Sequence, residues 1–151
     1  RVPFVVRWPG RVRPAAECPD LLCLTDVYAT VAALAQVPLV SGAAEDSFDQ
    51  SAAFLGGADR VLARADVIHH SINGTFALRS GPWKLIQGLG SGGFTAPKTR
   101  KPQVGGPTGQ LYNLERDPYE TQNLWLEEPE IVARLEARLL AQRTASQTRS
   151  N

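Results

Sequence analysis

The sequence predicts an α+β fold that ends in a small antiparallel sheet packed against a C-terminal helix. Two observations carry this prediction. Between residues 67 and 87, short apolar runs alternate with polar residues, and turn-forming pairs such as Asn73-Gly74 separate the runs. From Pro129 onward, apolar residues recur at helical spacing. The first pattern is typical of strands joined by tight turns, and the second is typical of a helix with one buried face.

The first half of the chain predicts a different kind of structure. The opening run RVPFVVRWPG is rich in β-branched and aromatic residues up to Trp8 and predicts a buried strand. The segment LTDVYATVAALAQVPL, residues 24–39, predicts an amphipathic helix with Thr25 or Asp26 as its cap. A short helical turn is expected near residues 51–55.

The second half contains the predicted sheet. Strands are expected near residues 67–71, 75–79 and 83–87. Residues 88–109 are too rich in glycine, proline and polar residues for a regular element, so they predict a long loop of low order. The stretch QLYNLERDPYETQNLW then predicts a further strand followed by an Asp-Pro turn. The change of composition near residue 66 divides the chain into two predicted domains, 1–66 and 67–151.

The bulk composition is that of an ordinary globular protein. The 151 residues carry a net charge of +1, which gives no argument for a nucleic-acid or membrane partner. No apolar run approaches the roughly 18 residues that a membrane-spanning helix needs. The chain contains no methionine, so we expect it to be a fragment or a processed piece of a longer protein, and its localisation stays open.

No metal site is predicted. Cys18 and Cys23 are the only cysteines, and no further cysteine or nearby histidine completes a zinc site. A local disulfide and two free thiols are both compatible with their spacing. Asp46 and Asp49 carry oxygen ligands of the kind calcium prefers, but we interpret them as solvated surface charges.

Four segments, in their order along the chain, resemble the C-terminal part of the sulfatases of the alkaline-phosphatase-like superfamily. They are RVPFVVRWPG, LTDVYATVAALA, FALRSGPWKLI and QLYNLERDPYETQNL. The last two are the most specific, because they combine Arg-x-Gly-x-Trp-Lys-Leu with Leu-Tyr-Asn-Leu, Asp-Pro and Asn-Leu. The resemblance implies an α/β parent protein, in which residues 1–66 end the large catalytic domain and residues 67–151 form a small C-terminal domain.

The resemblance also implies a chemistry, most of which lies outside this chain. Sulfatases hydrolyse sulfate esters with a formylglycine made in a Cys/Ser-x-Pro-x-Arg motif, beside a bound calcium. Neither Cys18 nor Cys23 lies in such a motif. We therefore expect the chain to be inactive without a missing N-terminal catalytic segment. The expected partner is a sulfated small molecule or glycan, and the parent is expected to be periplasmic or secreted.

Two other functions remain open. The same superfamily contains phosphodiesterases and phosphonate hydrolases, which differ in the nucleophile upstream. A non-catalytic module that binds carbohydrate or a partner protein is the alternative from a different class.

His69 and His70 are the chain's only histidines and the candidate substrate-binding residues. An imidazole can hydrogen-bond a sugar hydroxyl or a sulfate oxygen. Adjacent strand residues point to opposite faces, so at most one of the two reaches a given pocket, and His70 is preferred. Lys84 is predicted to be a surface lysine on the face opposite Trp83. The aromatic residues predicted to lie in the core are Trp8, Trp83, Tyr112 and Trp125.

Overall fold

The computed structural model describes residues 2–56 and 63–149. They form two compact units. The first contains the described residues up to Ala65 together with residues 147–149, and the second is Asp66–Ser146. The domains predicted for the longer protein, 1–66 and 67–151, stay a prediction.

The first unit contains two short helices. A single 3₁₀ turn, Leu24–Asp26, leads into α1, Val27–Leu34, and α2 spans Ser51–Leu55. Both predicted helical segments are thus confirmed. However, the apolar side of α1 that carries Tyr28 and Val31 is exposed, and the buried residues are Ala29 and Thr30. An exposed apolar strip of this kind is typical of a surface that packs against another part of a protein.

The opening run of apolar residues forms no strand. Val5 is 89% exposed, and Phe4 contacts only the ring of Phe54 among the aromatic rings described, at 5.8 Å between centroids. Trp8 is also exposed. The predictions of a buried strand here and of a core position for Trp8 are wrong for this chain, because a strand needs a paired neighbour and none lies beside residues 2–8 in the described segments.

A buried carboxylate holds the first unit together. Asp26 is 2% exposed, and its oxygens accept hydrogen bonds from Arg64 Nε at 2.9 and 3.2 Å. The backbone N–H groups of Cys23 and Phe48 donate to it at 2.9 and 3.1 Å, and Gln50 Nε2 donates at 3.2 Å. Burial by itself raises the pKa of Asp26, but the bonds from Arg64, Cys23 and Phe48 outweigh this and lower it. The predicted helix cap is therefore the centre of a buried ionic network.

The second unit contains a four-stranded antiparallel sheet in the order β1-β2-β3-β4. The strands are β1, Asp66–His70; β2, Phe76–Ser80; β3, Trp83–Ile86; and β4, Gln110–Asn113. Gly74 and Gly81 have φ values of +78° and +52° in the two tight turns, a backbone region that favours glycine. The predicted strands and turns are confirmed with bounds that differ by one residue.

One face of the sheet packs against α3, Pro129–Thr144. The fully or largely buried core residues come from β2, β3, β4 and α3: Leu78, Leu85, Leu111, Val132, Leu135 and Leu139. Trp83 and Trp125 pack at the edge of this cluster, so their predicted core positions are confirmed. On α3, Arg138 and Gln142 hydrogen-bond the buried carboxylate of Asp66 and so attach the helix to β1. None of the helices within the described segments could cross a membrane.

Candidate functional site

The sheet face that points away from α3 carries a group of polar side chains. The register pairs Arg79 with Lys84 and Lys84 with Tyr112, so these three side chains form one row across β2, β3 and β4. The neighbouring row on the same face contains His69 of β1 and Gln110 of β4. We call these five residues the polar face.

Lys84 is held in an ion pair. Its Nζ donates to both carboxylate oxygens of Glu120 at 2.7 Å, and only 19% of its side chain is exposed. Lys84 lies on the face opposite Trp83 as predicted, but it is only partly exposed, because the turn after β4 brings an acidic partner over it. This ion pair fixes the position of the ammonium group on the sheet face that also carries His69 of β1.

The turn that places Glu120 is organised by Asp117. The Asp117 carboxylate accepts hydrogen bonds from the backbone N–H groups of Thr121 and Gln122 at 2.6 and 2.8 Å. The bond from Gln122 is the largest of the effects that lower the pKa of Asp117. Glu120 itself has a φ of +59°, an uncommon conformation for a residue other than glycine. The segment after the Asp-Pro pair thus has a specific fold that directs a carboxylate at Lys84.

His69 is exposed at the edge of the polar face, and its surroundings favour the neutral imidazole. Partial burial, and then the positive charge of Lys84, lower the pKa of His69, while the negative charge of Glu120 acts in the opposite direction. A neutral imidazole carries one N–H donor and one acceptor nitrogen. His69 can therefore donate to a sulfate oxygen and accept from a sugar hydroxyl.

The charges on Lys84 and Glu120 should be visible in the titration of His69. In a His70→Ala background, which leaves one histidine signal, Lys84→Met should raise the pKa of His69, because the repulsive charge is lost. Glu120→Gln should lower it further. The measurement is an NMR titration of the imidazole protons. Equal titration curves in all three proteins would contradict the arrangement of the polar face.

Tyr112 and Gln110 of β4 connect the polar face to the loop that follows β3. Tyr112 is buried, which confirms its predicted burial, and its hydroxyl donates to Gln110 Oε1 at 2.8 Å. Gln110 Nε2 in turn donates to the carbonyl oxygens of Gly88 and Gly90 at 2.9 and 3.0 Å. The side chains of β4 therefore fix where the loop leaves the sheet.

His70 points to the other face. Its ring lies edge-on to Phe76 with 5.9 Å between centroids, and its Nδ1 lies 3.0 Å from the carbonyl oxygen of Ser71. Arg143 of α3 covers the same Phe76 ring at 3.9 Å. The two predicted substrate-binding histidines are thus separated by the sheet, and His69 alone shares a face with Lys84.

The described residues do not build a metal centre. Within residues 2–56 and 63–149, no three histidine, cysteine, aspartate or glutamate side chains come together. Asp46 accepts bonds from the N–H and hydroxyl of Thr148, and Asp49 accepts one from the N–H of Ser51. Cys18 and Cys23 are free thiols.

Sequence reasoning missed the ion pair between Lys84 of the polar face and Glu120, and with it the partial burial of Lys84. One signal was present: no acidic residue occurs between Asp66 and Glu115. A lysine in the middle of such a stretch, in a strand with apolar neighbours, needs a carboxylate from elsewhere if it is to be buried.

Solved structures identify the class of protein to which this fold belongs. A structure from work on the metabolism of multiple glycosaminoglycans by Bacteroides thetaiotaomicron, labelled 6S-sulf, is 32% identical, has a TM-score of 0.77, and is matched over 95% of this chain and 29% of its own. A second structure from the same work, labelled 4S-sulf, is 19% identical with a TM-score of 0.55 over 85% of this chain and 28% of its own, and it shows the fold alone. No protein-family model matches the chain.

The predicted resemblance of this chain to the C-terminal part of sulfatases is confirmed. A curated relative is the N-acetylgalactosamine-6-O-sulfatase of Bacteroides thetaiotaomicron, which is 34% identical over 136 residues. These residues are 89% of this chain and 26% of the relative, so the chain spans about a quarter of the length of the curated protein it matches.

Proposed function

We propose that the protein containing this chain hydrolyses 6-O-sulfate esters of N-acetylgalactosamine units in a glycan, and that the polar face forms part of its substrate-binding wall. The relative's name supplies the substrate. The observation that carries the role of the polar face is the exposed imidazole of His69 on the same sheet face as the Lys84–Glu120 ion pair. His69 donates a hydrogen bond to the substrate, and the charge of Lys84 adds to the effect of partial burial in favouring the neutral imidazole.

The cofactors implied by the family do not fit residues of this chain. A formylglycine needs the Cys/Ser-x-Pro-x-Arg motif, which the sequence lacks, and calcium needs clustered oxygen ligands, which the described residues do not bring together. The bond-breaking step therefore belongs to the rest of the protein. What this chain contributes is binding and orientation of the substrate.

We also propose that the protein is periplasmic or secreted. A polymeric sulfated substrate is too large to reach an enzyme inside the cell without prior cleavage. Fractionation of cells that produce the protein tests the location independently of activity.

Replacing His69 by alanine should lower kcat/KM for a sulfated N-acetylgalactosamine substrate by about tenfold to a hundredfold, the effect of losing one hydrogen bond to a charged group. Most of this change should appear in KM, because a binding contact is lost while the reacting groups remain. His69→Gln, which can still donate from its amide, should recover part of the loss. The assay is steady-state hydrolysis by the whole protein.

His70→Ala is the matched control, because His70 lies on the other sheet face against Phe76. It should leave kcat/KM within about twofold of the wild type, as expected for a residue outside the site. A larger loss in His70→Ala than in His69→Ala would reject the polar face as the substrate wall. Hydrolysis of a phosphodiester but not of the sulfate ester would favour the superfamily alternative.

A further inference from the structure

The long loop after β3 is the centre of a stretch with only positive charge. Between Asp66 and Glu115 the sequence has no acidic residue and five lysines or arginines. Two of the five, Arg79 and Lys84, lie on the polar face. The other three are close together in the loop: Lys98, Arg100 and Lys101. This segment differs from the chain as a whole, whose net charge is only +1.

The tip of the loop is held by its own backbone. The N–H of Ser91 donates to the carbonyl of Pro97 at 3.0 Å, and the N–H of Gly92 donates to the carbonyl of Lys98 at 2.9 Å. The N–H of Arg100 donates to the carbonyl of Leu89 at 3.0 Å. The predicted loop is confirmed, but residues 89–92 and 97–100 within it are joined by specific hydrogen bonds, so the low order expected of the loop is not found in this part.

A glycine allows the two sides of the loop to approach each other closely. Gly90 has a φ of +98°, and a Cβ atom there would lie 2.8 Å from the carbonyl oxygens of Pro97 and Lys98. Gln110 bonds the carbonyl of Gly90 from the sheet side. The loop is therefore preorganised, which lowers the entropy lost when a ligand binds it.

The charged and aromatic side chains of this loop are exposed to solvent. Phe94, at the tip, is 87% exposed. Lys98, Arg100 and Lys101 are also exposed, and none of them has an ion-pair partner in the part of the chain that the structure describes. The charge of Arg100 acts on the Tyr112 hydroxyl, where it partly offsets burial, the main effect that raises the pKa of Tyr112.

We propose that residues 88–101, the basic loop, bind the part of an anionic glycan chain that extends beyond the sulfate ester being cleaved. Lys98, Arg100 and Lys101 would pair with sulfate or carboxylate groups of neighbouring sugars, and the Phe94 ring would cover an apolar sugar face. Three cations and one aromatic ring over a short loop suit a few sugar units and are fewer than the extended basic stripe typical of nucleic-acid binding. This inference rests on the proposed function for the identity of the polymer.

The test compares the whole protein with two variants and a control. The variants are Lys98→Gln/Arg100→Gln/Lys101→Gln and Phe94→Ala, and the control is Arg134→Gln, which removes an exposed cation from α3. Binding is measured with a sulfated glycosaminoglycan octasaccharide over a series of salt concentrations. Turnover is measured with N-acetylgalactosamine 6-sulfate, a monosaccharide too small to reach both the site and the loop.

The triple variant should bind the octasaccharide about tenfold more weakly, because three solvent-exposed ion pairs are lost, and its binding should depend less on salt. Phe94→Ala should weaken binding without changing the salt dependence. Monosaccharide turnover should stay within twofold in both variants, and Arg134→Gln should behave like the wild type.

Unchanged octasaccharide binding in the triple variant would overturn the proposal. So would an equal loss in Arg134→Gln, or equally tight binding of a single-stranded DNA of the same charge by the wild type, since either result indicates a general attraction between charges. A third outcome separates the two proposals. If neither the wild type nor any variant hydrolyses the monosaccharide, but the triple variant binds the glycan more weakly than the wild type does, the proposed hydrolysis is wrong and the proposed glycan binding by the basic loop is supported.

Discussion

Replacing Asp26 by alanine should lower the free energy of unfolding by about 3–5 kcal/mol, the range for removing one partner of a buried ion pair. The substitution leaves the buried guanidinium of Arg64 without its carboxylate. It also removes the acceptor of the backbone N–H groups of Cys23 and Phe48. The measurement is urea denaturation followed by far-ultraviolet circular dichroism.

The control for this prediction is Glu17→Ala. Glu17 is exposed and has no hydrogen bond within the described residues, so its loss should change the free energy of unfolding by less than about 0.5 kcal/mol. A similar small change in Asp26→Ala would mean that the buried network does not hold the first unit together.

The buried carboxylate of Asp26 should also make the free energy of unfolding depend on pH. The folded pKa of Asp26 lies below the ordinary value of 3.8, because the bonds it accepts outweigh the effect of burial. Its stabilising contribution is therefore fully present above pH 3.8 and is lost as the pH falls through the folded pKa. The difference in stability between the wild type and Asp26→Asn should accordingly shrink below that pH.

The sheet could be predicted from the sequence because its signals are local. Alternation identifies each strand, and Asn73-Gly74 and Gly81-Pro82 identify the turns that join them. The closing helix is equally local, since Pro129 marks its start and the apolar spacing marks its buried face. Within the sheet, alternation also placed Lys84 correctly on the face opposite Trp83.

What the sequence did not reveal depends on partners far apart in the chain. Lys84 is partly buried because Glu120, 36 residues later, lies over it, and no rule of spacing predicts that contact. The bond between Arg64 and Asp26 spans 38 residues and was missed for the same reason. The opening apolar run was wrongly predicted to be a buried strand. Its pattern is typical of a strand that pairs with a neighbouring strand, and the described part of this chain does not contain such a neighbour.

The two faces of the sheet in the second unit carry different kinds of side chain. The α3 side of the sheet carries the apolar cluster, and the other side carries His69, Arg79 and Lys84. Because neighbouring residues of one strand serve the two sides, substitutions on one side can be separated from those on the other. His69 and His70 give that comparison for binding, and α3 gives it for stability.

Replacing Leu139 by alanine should lower the free energy of unfolding by about 2–5 kcal/mol, as for other leucines removed from a closed core. Leu139 is 0% exposed and packs in the cluster formed with the sheet, so the substitution leaves a cavity that the rigid strands fill only in part. Trp83 and Trp125 pack against this cluster, and their fluorescence therefore reports its unfolding in urea.

Leu140 provides a control that differs by one position on the same helix. It is 61% exposed, so Leu140→Ala removes the same atoms without opening a cavity, and alanine also has the higher helix propensity. The change should stay within about 0.5 kcal/mol. If the two substitutions were equally costly, an effect on the unfolded state would account for the loss, and α3 would not be attached to the sheet through Leu139. If only Leu139→Ala is costly, the apolar cluster is what attaches α3 to the sheet.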